Sequence, residues 1–375
     1  MDAEPRPPGT GPLQGVRVVE LAGIGPGPYA AMVLADLGAD VVRVDRPGGP
    51  ALGIDPSCDI TGRNKRSLIA DLKTPEGVAT VLDLAERADI LLEGYRPGVA
   101  ERLGVGPDHC RDRNPRLVYG RMTGWGQDGP WSHTAGHDID YVAVTGTLHM
   151  IGPADGPPSV PANLLGDYAG GSLYLVIGVL AALQHARVSG EGQVVDAAIV
   201  DGVSHLGSMI HGMMAAGVWQ DRREANLLDG GCPFYGTYRT RDDGYVAVGP
   251  LEEPFYREFL ELLDLTDRVP PREDPHGWAA LRDAVAARFL TRTREEWSAH
   301  FEGSDACVAP VLSLREAPEH PHLAARATFQ RHHGITQPAP APRFSATPGS
   351  VRRPPAPPGA HGEEIARDWA LPPRT

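Results

Sequence analysis

The feature that most constrains this chain is an alternation of short apolar, β-branched runs with helical segments through its first half. Thr74 followed by Pro75 has the pattern of a helix N-cap and first helical residue. Continuous apolar strands joined by helices are typical of a parallel sheet, so the pattern predicts an α/β domain. The predicted strands are Val16–Leu21, Val41–Val44, Ile90–Leu92, Leu117–Arg121 and Gln193–Asp196, and the main predicted helices are Pro28–Leu37, Thr74–Ala85 and Tyr168–Leu183.

The pattern changes in the second half. Gly236–Thr240 and Tyr245–Val248 flank the turn sequence Arg241-Asp242-Asp243-Gly244, which predicts a hairpin. Glu253–Leu263 and Trp278–Phe289 have the spacing of amphipathic helices. We therefore expect a large domain over 12–198, a linker helix over 199–230, a small α+β domain over 231–329, and flexible termini at 1–11 and 363–375. Met209, Met213 and Met214, at helical spacing inside the linker, are expected to be core.

Composition excludes several classes of protein. The 375 residues carry a formal net charge of −13, which argues against general binding to the phosphate backbone of nucleic acids. The four cysteines, Cys58, Cys110, Cys232 and Cys307, are scattered without zinc-ligand spacing, as in a cytoplasmic protein with reduced thiols. No secretory signal is visible. The apolar run Tyr168–Leu183 is shorter than the roughly 20 residues of a membrane span and contains glycines, so we expect a buried helix and no membrane contact.

Two short segments contain groups suited to proton transfer. His137 follows Gly136 in a polar, turn-like stretch, and Asp167 lies at the start of the long apolar helix. A neutral imidazole and a carboxylate are a pair of bases able to move a proton across an sp³ carbon. Each has an ordinary structural interpretation: His137 as a packed structural histidine and Asp167 as a helix cap. The pair is also consistent with a nucleophilic carboxylate, so the residues alone leave the reaction open.

The N-terminal half also contains a glycine-rich turn and a set of basic residues. Gly23-Ile24-Gly25-Pro26-Gly27-Pro28 follows the first strand, but it lacks the G-x-G-x-x-G spacing, and its prolines remove backbone donors. We expect its glycines to let another group approach the backbone rather than to bind a dinucleotide. Basic residues near predicted strand ends could bind a phosphorylated ligand, or form a solvated surface; they are Arg43, Arg46, Arg63, Lys65, Arg66, Arg96 and Arg102.

These segments resemble the family III CoA-transferase superfamily (CaiB/BaiF-like) and, within it, the α-methylacyl-CoA racemases. The resemblance extends from Leu13 to about Phe344 and rests on many motifs in the same order. They are VRVVELAGIGPGP, GADVVRVDRP, RNKRS, EGYRPGVAERLGVGP, TGWGQDGP, AGHDIDY, LLGDYAGGS, GQVVDAAIVDG and DACVAPVL. The loop Pro47–Thr61 departs from the relatives and is expected to alter the entrance for CoA.

The resemblance implies a Rossmann-like large domain, completed by the C-terminal segment 330–362, and a small domain joined to it by linkers. It implies an interlocked homodimer whose active site lies between the large domain of one subunit and the small domain of the other. It also implies that the CoA part of an acyl-CoA thioester is held by matching residues. These are Arg46, Asn64, Lys65, Arg96, Arg102, Asp138 and Tyr141.

The resemblance also implies roles for the catalytic residues. In the transferases the residue matching Asp167 is a nucleophile, and in the racemases it is a proton carrier. Histidine at the position of His137 is typical of the racemases, and Glu252 matches the carboxylate that pairs with it, although Glu253 follows directly. We therefore expect a two-base 2-methylacyl-CoA racemase without metal or redox cofactor. The alternatives are a CoA-transferase acting through Asp167 and a non-catalytic acyl-CoA-binding protein.

Overall fold

The computed structural model describes residues 11–48 and 55–373, and the chain divides into two compact units. The large unit contains the described residues of 1–145, 161–207 and 322–375, and the small unit contains 146–160 and 208–321. The division differs from the expected domains. Residues 146–160, expected in the large domain, belong to the small unit, and the expected linker over 199–230 is divided between the units at residue 207.

The large unit is built on a six-stranded sheet in which all neighbouring strands are parallel. The strand order is β3-β2-β1-β4-β5-β6, the order of a Rossmann fold, so the predicted α/β architecture is confirmed. The strands are β1 (Arg17–Leu21), β2 (Asp40–Asp45), β3 (Lys65–Ile69), β4 (Ile90–Glu93), β5 (Val118–Thr123) and β6 (Val194–Ala198).

Helices connect these strands. Thr74 caps the second helix as predicted, since its side-chain oxygen accepts a hydrogen bond from Gly77 N at 3.1 Å. A π-helix, Leu164–Ser172, leads directly into the long helix of this unit. The α-helices are α1 (Pro26–Asp36), α2 (Pro75–Arg87), α3 (Val99–Arg102), α4 (Pro107–Arg113), α5 (Asp138–Val144), α6 (Leu173–Ser189) and α7 (Ile199–Leu206).

The small unit has an antiparallel sheet in the order β7-β8-β9. The predicted hairpin is confirmed, and so are the two amphipathic helices, to within one residue. Its core combines aromatic and aliphatic side chains of the sheet and helices, including Tyr238, Val246, Phe259, Phe289 and Trp297. Its elements are α8 (Ser208–Ala215), β7 (Gly236–Arg239), β8 (Tyr245–Val248), α9 (Glu253–Leu262), α10 (Trp278–Phe289), α11 (Arg294–Phe301) and β9 (Val308–Pro310).

The C-terminal segment returns to the large unit as α12 (Pro321–Ala325), the hairpin β10 (Phe329–His332) and β11 (Ile335–Pro338), and α13 (Gly362–Asp368). The expectation of a flexible terminus from residue 363 is wrong for its described part. Ile365 and Trp369 are buried in the core beside α2 and β3, and Trp369 Nε1 donates to Asp40 Oδ2 at 2.8 Å. Two apolar side chains in a short polar segment gave no helix pattern, and their burial depends on the sheet.

The methionines of α8 are not core. This helix has no buried residue within the chain, and Met209 is 58% exposed and Met214 40% exposed. The prediction of core packing was wrong because helical spacing shows which side chains share a face, without showing what covers that face.

The helical stretch Leu164–Ser189 is long and apolar enough to cross a membrane by length and composition, since it has 26 residues. It is therefore longer than the sequence pattern predicted, because the glycines do not interrupt it. Leu175, Val179 and Leu183 are buried, and α6 packs against β5 and β6. One face of the helix therefore covers the sheet, while Leu173 and Ile177 on another face are exposed.

A buried ion pair joins β1 and β3 near the start of α1. Lys65 Nζ lies 2.7 Å from Glu20 Oε2, both side chains are 1% exposed, and Lys65 Nζ also donates to Pro28 O at 2.8 Å. Burial raises the pKa of Glu20 and lowers the pKa of Lys65, so each charge depends on the other. The pair ties β1 and β3 to the start of α1.

We expect Lys65→Met to lower the free energy of unfolding by about 3–5 kcal/mol, because it leaves Glu20 buried without a countercharge. The double variant with Glu20→Gln should recover most of that loss, since no unpaired charge remains. Urea unfolding followed by circular dichroism measures both. A loss below about 1 kcal/mol together with weakened CoA binding would instead support the ligand-binding role that the resemblance implied for Lys65.

Candidate active site

The two segments with candidate bases meet through one hydrogen bond. Asp138, the first residue of α5, is buried, and its Oδ2 accepts from the backbone N–H of Asp167 at 2.6 Å. Gly166 permits this approach, because a Cβ there would lie 2.3 Å from Asp138 Oδ2. Asp138 therefore fixes the start of α5, directly after His137, against the π-helix that contains Asp167.

Asp167 lies in the first half of the π-helix rather than at its first residue. Its half-buried carboxylate accepts a hydrogen bond from Asn163 Nδ2 at 3.3 Å. Burial raises the pKa of Asp167, and the charge of Asp138 raises it further, while Asn163 and the charge of His137 lower it. The charge of His137 therefore contributes to the electrostatic surroundings of Asp167, and the Asp138 bond joins the residue next to His137 to the backbone of Asp167.

The glycine-rich turn before α1 forms the other side of Asp167. Gly25 has φ +71°, and a Cβ on it would lie 3.2 Å from Asp167 Oδ2, so this position needs glycine. The expectation that a glycine of this turn admits another group is confirmed for Gly25. Ser172, which the sequence did not single out, is buried and donates from Oγ to Pro26 O at 2.7 Å. This bond holds the start of α1 against the π-helix.

His137 and Tyr141 lie on the α5 side of the site. The imidazole of His137 is exposed, and its backbone N–H donates to Asp140 Oδ2 at 2.9 Å, which fixes the first turn of α5. Tyr141 OH donates to Gly136 O at 2.5 Å. Burial and the charge of Asp167 raise the pKa of Tyr141, while Arg96 lowers it, so Arg96 reaches the electrostatic surroundings of the site.

Three of the predicted CoA-binding arginines lie exposed at or after strand ends. Arg46 follows β2, Arg96 lies after β4, and Arg102 ends α3. The charge of Arg46 acts on Tyr95, next to Arg96. The guanidinium of Arg102 lies over Gly98, where a Cβ would be 3.2 Å from its Nη1. Arg46 and Arg96 therefore lie in the loops that follow β2 and β4, and Arg102 contacts the second of these loops at Gly98.

Asn64 and Lys65 do not lie with these arginines at the surface. Lys65 begins β3 and Asn64 precedes it, so the two residues lie at the start of a strand. Asn64 is buried, donates to Asp36 Oδ1 at 2.7 Å and accepts from the backbone N–H of Arg352 and Arg353. It thus holds the C-terminal segment to the sheet unit, and Lys65 is bound to Glu20.

Glu252 lies in the small unit as the exposed N-cap residue of α9. Its neighbour Glu253 forms an ion pair with Arg272, with Nη2 and Oε2 3.1 Å apart. Within the described part of the chain Glu252 has no ion pair, although its charge raises the pKa of Cys307 along with burial. Glu252 is therefore the better candidate of the two for pairing with an imidazole.

Among residues 11–48 and 55–373, no group of three or more histidine, cysteine, aspartate or glutamate side chains is placed to hold a metal ion. The four cysteines are free thiols.

Comparison with known proteins places this arrangement in a family. The family model CoA-transferase family III matches residues 13–362. The chain is 43% identical over 365 residues to the α-methylacyl-CoA racemase of Homo sapiens, covering 96% of this chain and 94% of that protein. It is 29% identical over 381 residues to the succinyl-CoA:glutarate CoA-transferase of Homo sapiens, covering 95% and 86% of the two chains.

A solved structure supports the same placement. A CaiB/BaiF family protein from Brucella suis superimposes with a TM-score of 0.83 at 26% identity, covering 96% of this chain and all of the other. The family model spans most of the chain, and the motifs that suggested the resemblance contain the residues that meet at Asp167 and the surrounding arginines. The chain therefore belongs to the family III CoA-transferases, as its sequence motifs had indicated.

Proposed function

We propose that this chain is an isomerase, an α-methylacyl-CoA racemase that interconverts (2R)- and (2S)-2-methylacyl-CoA thioesters. The observation that carries the proposal is the Asp138 hydrogen bond, which joins the residue directly after His137 to Asp167, a carboxylate whose pKa is raised by burial. The identity of 43% to a racemase across 96% of the chain supports the same reaction.

The chemistry is the transfer of one proton in two steps. One base takes the α-proton, the C–H electrons move onto the thioester oxygen as an enolate, and the conjugate acid of the other base returns a proton to the opposite face. His137 serves one face and Asp167 the other. Burial of Asp167 raises its pKa, which suits a carboxyl group that must both accept and return a proton.

The enolate needs a source of positive potential. The first N–H groups of a helix lack intrahelical partners and favour negative charge. The π-helix that contains Asp167 begins at Leu164, and the N–H of Asp167 itself donates to Asp138. We therefore assign enolate stabilisation to the N–H groups of Leu164, Leu165 and Gly166.

CoA is part of the substrate, and the proposed reaction uses no metal or redox cofactor. Arg46, Arg96 and Arg102 would bind the phosphates of CoA, because they are exposed guanidinium groups after β2, after β4 and at the end of α3. We further propose that the protein acts in the cytoplasm, consistent with its free thiols.

The complete site would need two subunits. We propose an interlocked homodimer in which Glu252 of one subunit orients His137 of the other and stabilises its charged form. The ion pair of Glu253 with Arg272 supports Glu252 as this partner. The exposed apolar side chains of α8, Met209 and Met214, fit a surface that such a dimer would cover.

The reaction is tested by following deuterium. Incubating the protein with (2S)-2-methylacyl-CoA in D₂O without an acceptor acid should give deuterium at the α-carbon and the (2R) product, because a racemase exchanges the proton with solvent. Mass spectrometry and chiral chromatography measure both. Incorporation absent under these conditions, with CoA transfer appearing once a carboxylic acid acceptor is added, would show the transferase reaction through Asp167 instead.

His137→Ala should slow racemisation by about 10²–10⁴-fold, the usual contribution of one general base, with CoA affinity nearly unchanged. Because Asp167 remains, deuterium exchange should persist for the enantiomer whose proton Asp167 takes and be lost for the other. Racemisation rates and exchange from each pure enantiomer are the measurements. The matched control is His133→Ala, an exposed histidine of the same loop, which should behave as wild type. Equal rates for both variants would contradict the two-base assignment.

Co-expression tests the shared site. A heterodimer of His137→Ala and Glu252→Ala chains has one intact and one doubly altered site if Glu252 reaches across, so it should keep about half of wild-type activity. If each site lies within one chain, both sites are altered and activity stays low. The control pairs His137→Ala with Asp167→Ala, which alters both sites in either arrangement. Purified heterodimers no more active than this control, or a monomer in solution scattering, would contradict the proposal.

A further inference from the structure

A second buried carboxylate lies beside the candidate CoA site. Glu93 is the last residue of β4 and is 2% exposed. Its Oε1 accepts from Arg121 Nε of the neighbouring strand β5 at 2.9 Å, and its Oε2 accepts from the backbone N–H of Tyr95 at 2.6 Å. Neither Glu93 nor Arg121 belongs to the proton-transfer machinery.

These contacts reach the loop that holds two of the arginines. Arg121 also donates to both oxygens of Glu101 on α3, at 2.8 and 3.3 Å. Glu101 directly precedes Arg102, and Tyr95 directly precedes Arg96. One three-residue network, Glu93–Arg121–Glu101, therefore fixes the loop 94–102 at both of its ends.

The backbone in the middle of the loop 94–102 is also restricted. Gly98, in the middle of the loop, has φ +77° and supports the guanidinium of Arg102. Arg96 acts electrostatically on Tyr141, whose surroundings include Asp167. A displacement of this loop would therefore move both arginines, and would move Arg96 relative to the proton-transfer site.

We propose that Glu93 is a positioning residue for CoA, which acts through Arg121 and Glu101 to set the loop with Arg96 and Arg102. The inference rests on the proposed function, in which these two arginines bind the phosphates of CoA. Replacing a buried ion pair by apolar side chains is often neutral or stabilising, so the stability of the fold gives little reason for this network. The network is instead explained if it holds the exposed guanidinium groups of Arg96 and Arg102 at a fixed separation.

The network should give CoA affinity a dependence on pH. Burial raises the pKa of Glu93 to about 7, opposed by the Tyr95 N–H and by Arg121. The charged or titratable groups facing it are Arg121 and Tyr119 of β5, Glu101 of α3 and Tyr95 of the loop. As the pH falls through about 7, Glu93 takes a proton and loses its charge-assisted bonds, so the loop is less firmly held.

The raised pKa of Glu93 has the opposite effect on the stability of the fold, which it lowers as the pH rises. Because the pKa of Glu93 in the folded protein lies above that of an exposed glutamate, the ionised carboxylate costs stability as the pH rises toward 7. Glu93→Gln, which stays neutral, should therefore remain folded at pH 8, as its melting temperature would show. Weaker binding by this variant at pH 8 would then reflect the loop rather than unfolding.

The experiment measures CoA dissociation constants by calorimetry on the full-length protein at pH 8 and pH 6. Arg102→Ala is the reference and should weaken CoA binding about tenfold or more, the equivalent of one lost charge-assisted hydrogen bond. Glu93→Gln should weaken binding at pH 8 by a similar factor, raising KM while kcat stays within about threefold. Its affinity should change less between pH 8 and pH 6 than that of wild type.

The controls separate the possible failures. Glu86→Gln removes an equal charge from a surface ion pair on α2 and should leave CoA affinity unchanged. Glu101→Gln disrupts the same network from its more exposed end, and decides the question if Glu93→Gln does not fold. Normal affinity in the Glu93 and Glu101 variants, with Arg102→Ala weakened, would overturn the positioning role alone. Normal affinity in Arg102→Ala would overturn the proposed CoA site itself.

Discussion

The candidate site depends on the hydrogen bond between the carboxylate of Asp138 and the backbone N–H of Asp167. It joins two segments far apart in sequence, and it forms only because Gly166 leaves room for the carboxylate. Asp167 also lies in a π-helix, a wider helical turn that is often found at functional sites. Its first turns place Asp167 beside Gly25 while Ser172 Oγ bonds to Pro26 O. The backbone of the π-helix around Asp167 is thus held by the buried side chains of Asp138 and Ser172.

The sheet surrounds this site with two similar buried ion pairs. β1 and β4 are neighbours at the centre of the sheet, where the strand order reverses and ligands of such folds bind. Glu20 near the end of β1 pairs with Lys65, which reaches the start of α1 through Pro28 O. Glu93 at the end of β4 pairs with Arg121, which reaches α3 through Glu101. Each pair holds a loop that faces the site, one beside Asp167 and one with the arginines.

Much of the fold followed from local patterns. Five of the six sheet strands, the Thr74 cap and the small-unit hairpin were predicted, because apolar runs and turn residues specify them without distant contacts. The strand Lys65–Ile69 was missed because two successive basic residues, Lys65 and Arg66, are typical of an exposed loop. In the folded chain Glu20 and Asp40 neutralise their charges, which allows them to be buried in the sheet. The helix Gly362–Asp368 was missed because its apolar residue Ile365, and Trp369 directly after it, are buried only by the core of the sheet unit.

The sequence by itself determined the family, the parallel α/β unit and the identity of the two candidate bases, because these depend on motifs and periodicity that are visible residue by residue. Only the tertiary structure decided which of the residues predicted to bind CoA can meet a ligand. Arg46, Arg96 and Arg102 are exposed, whereas Asn64 and Lys65 are buried and bound to internal partners. Whether a charge binds a ligand or holds the fold depends on its distance to a countercharge. That distance between residues remote in sequence is set by packing, which no local pattern contains.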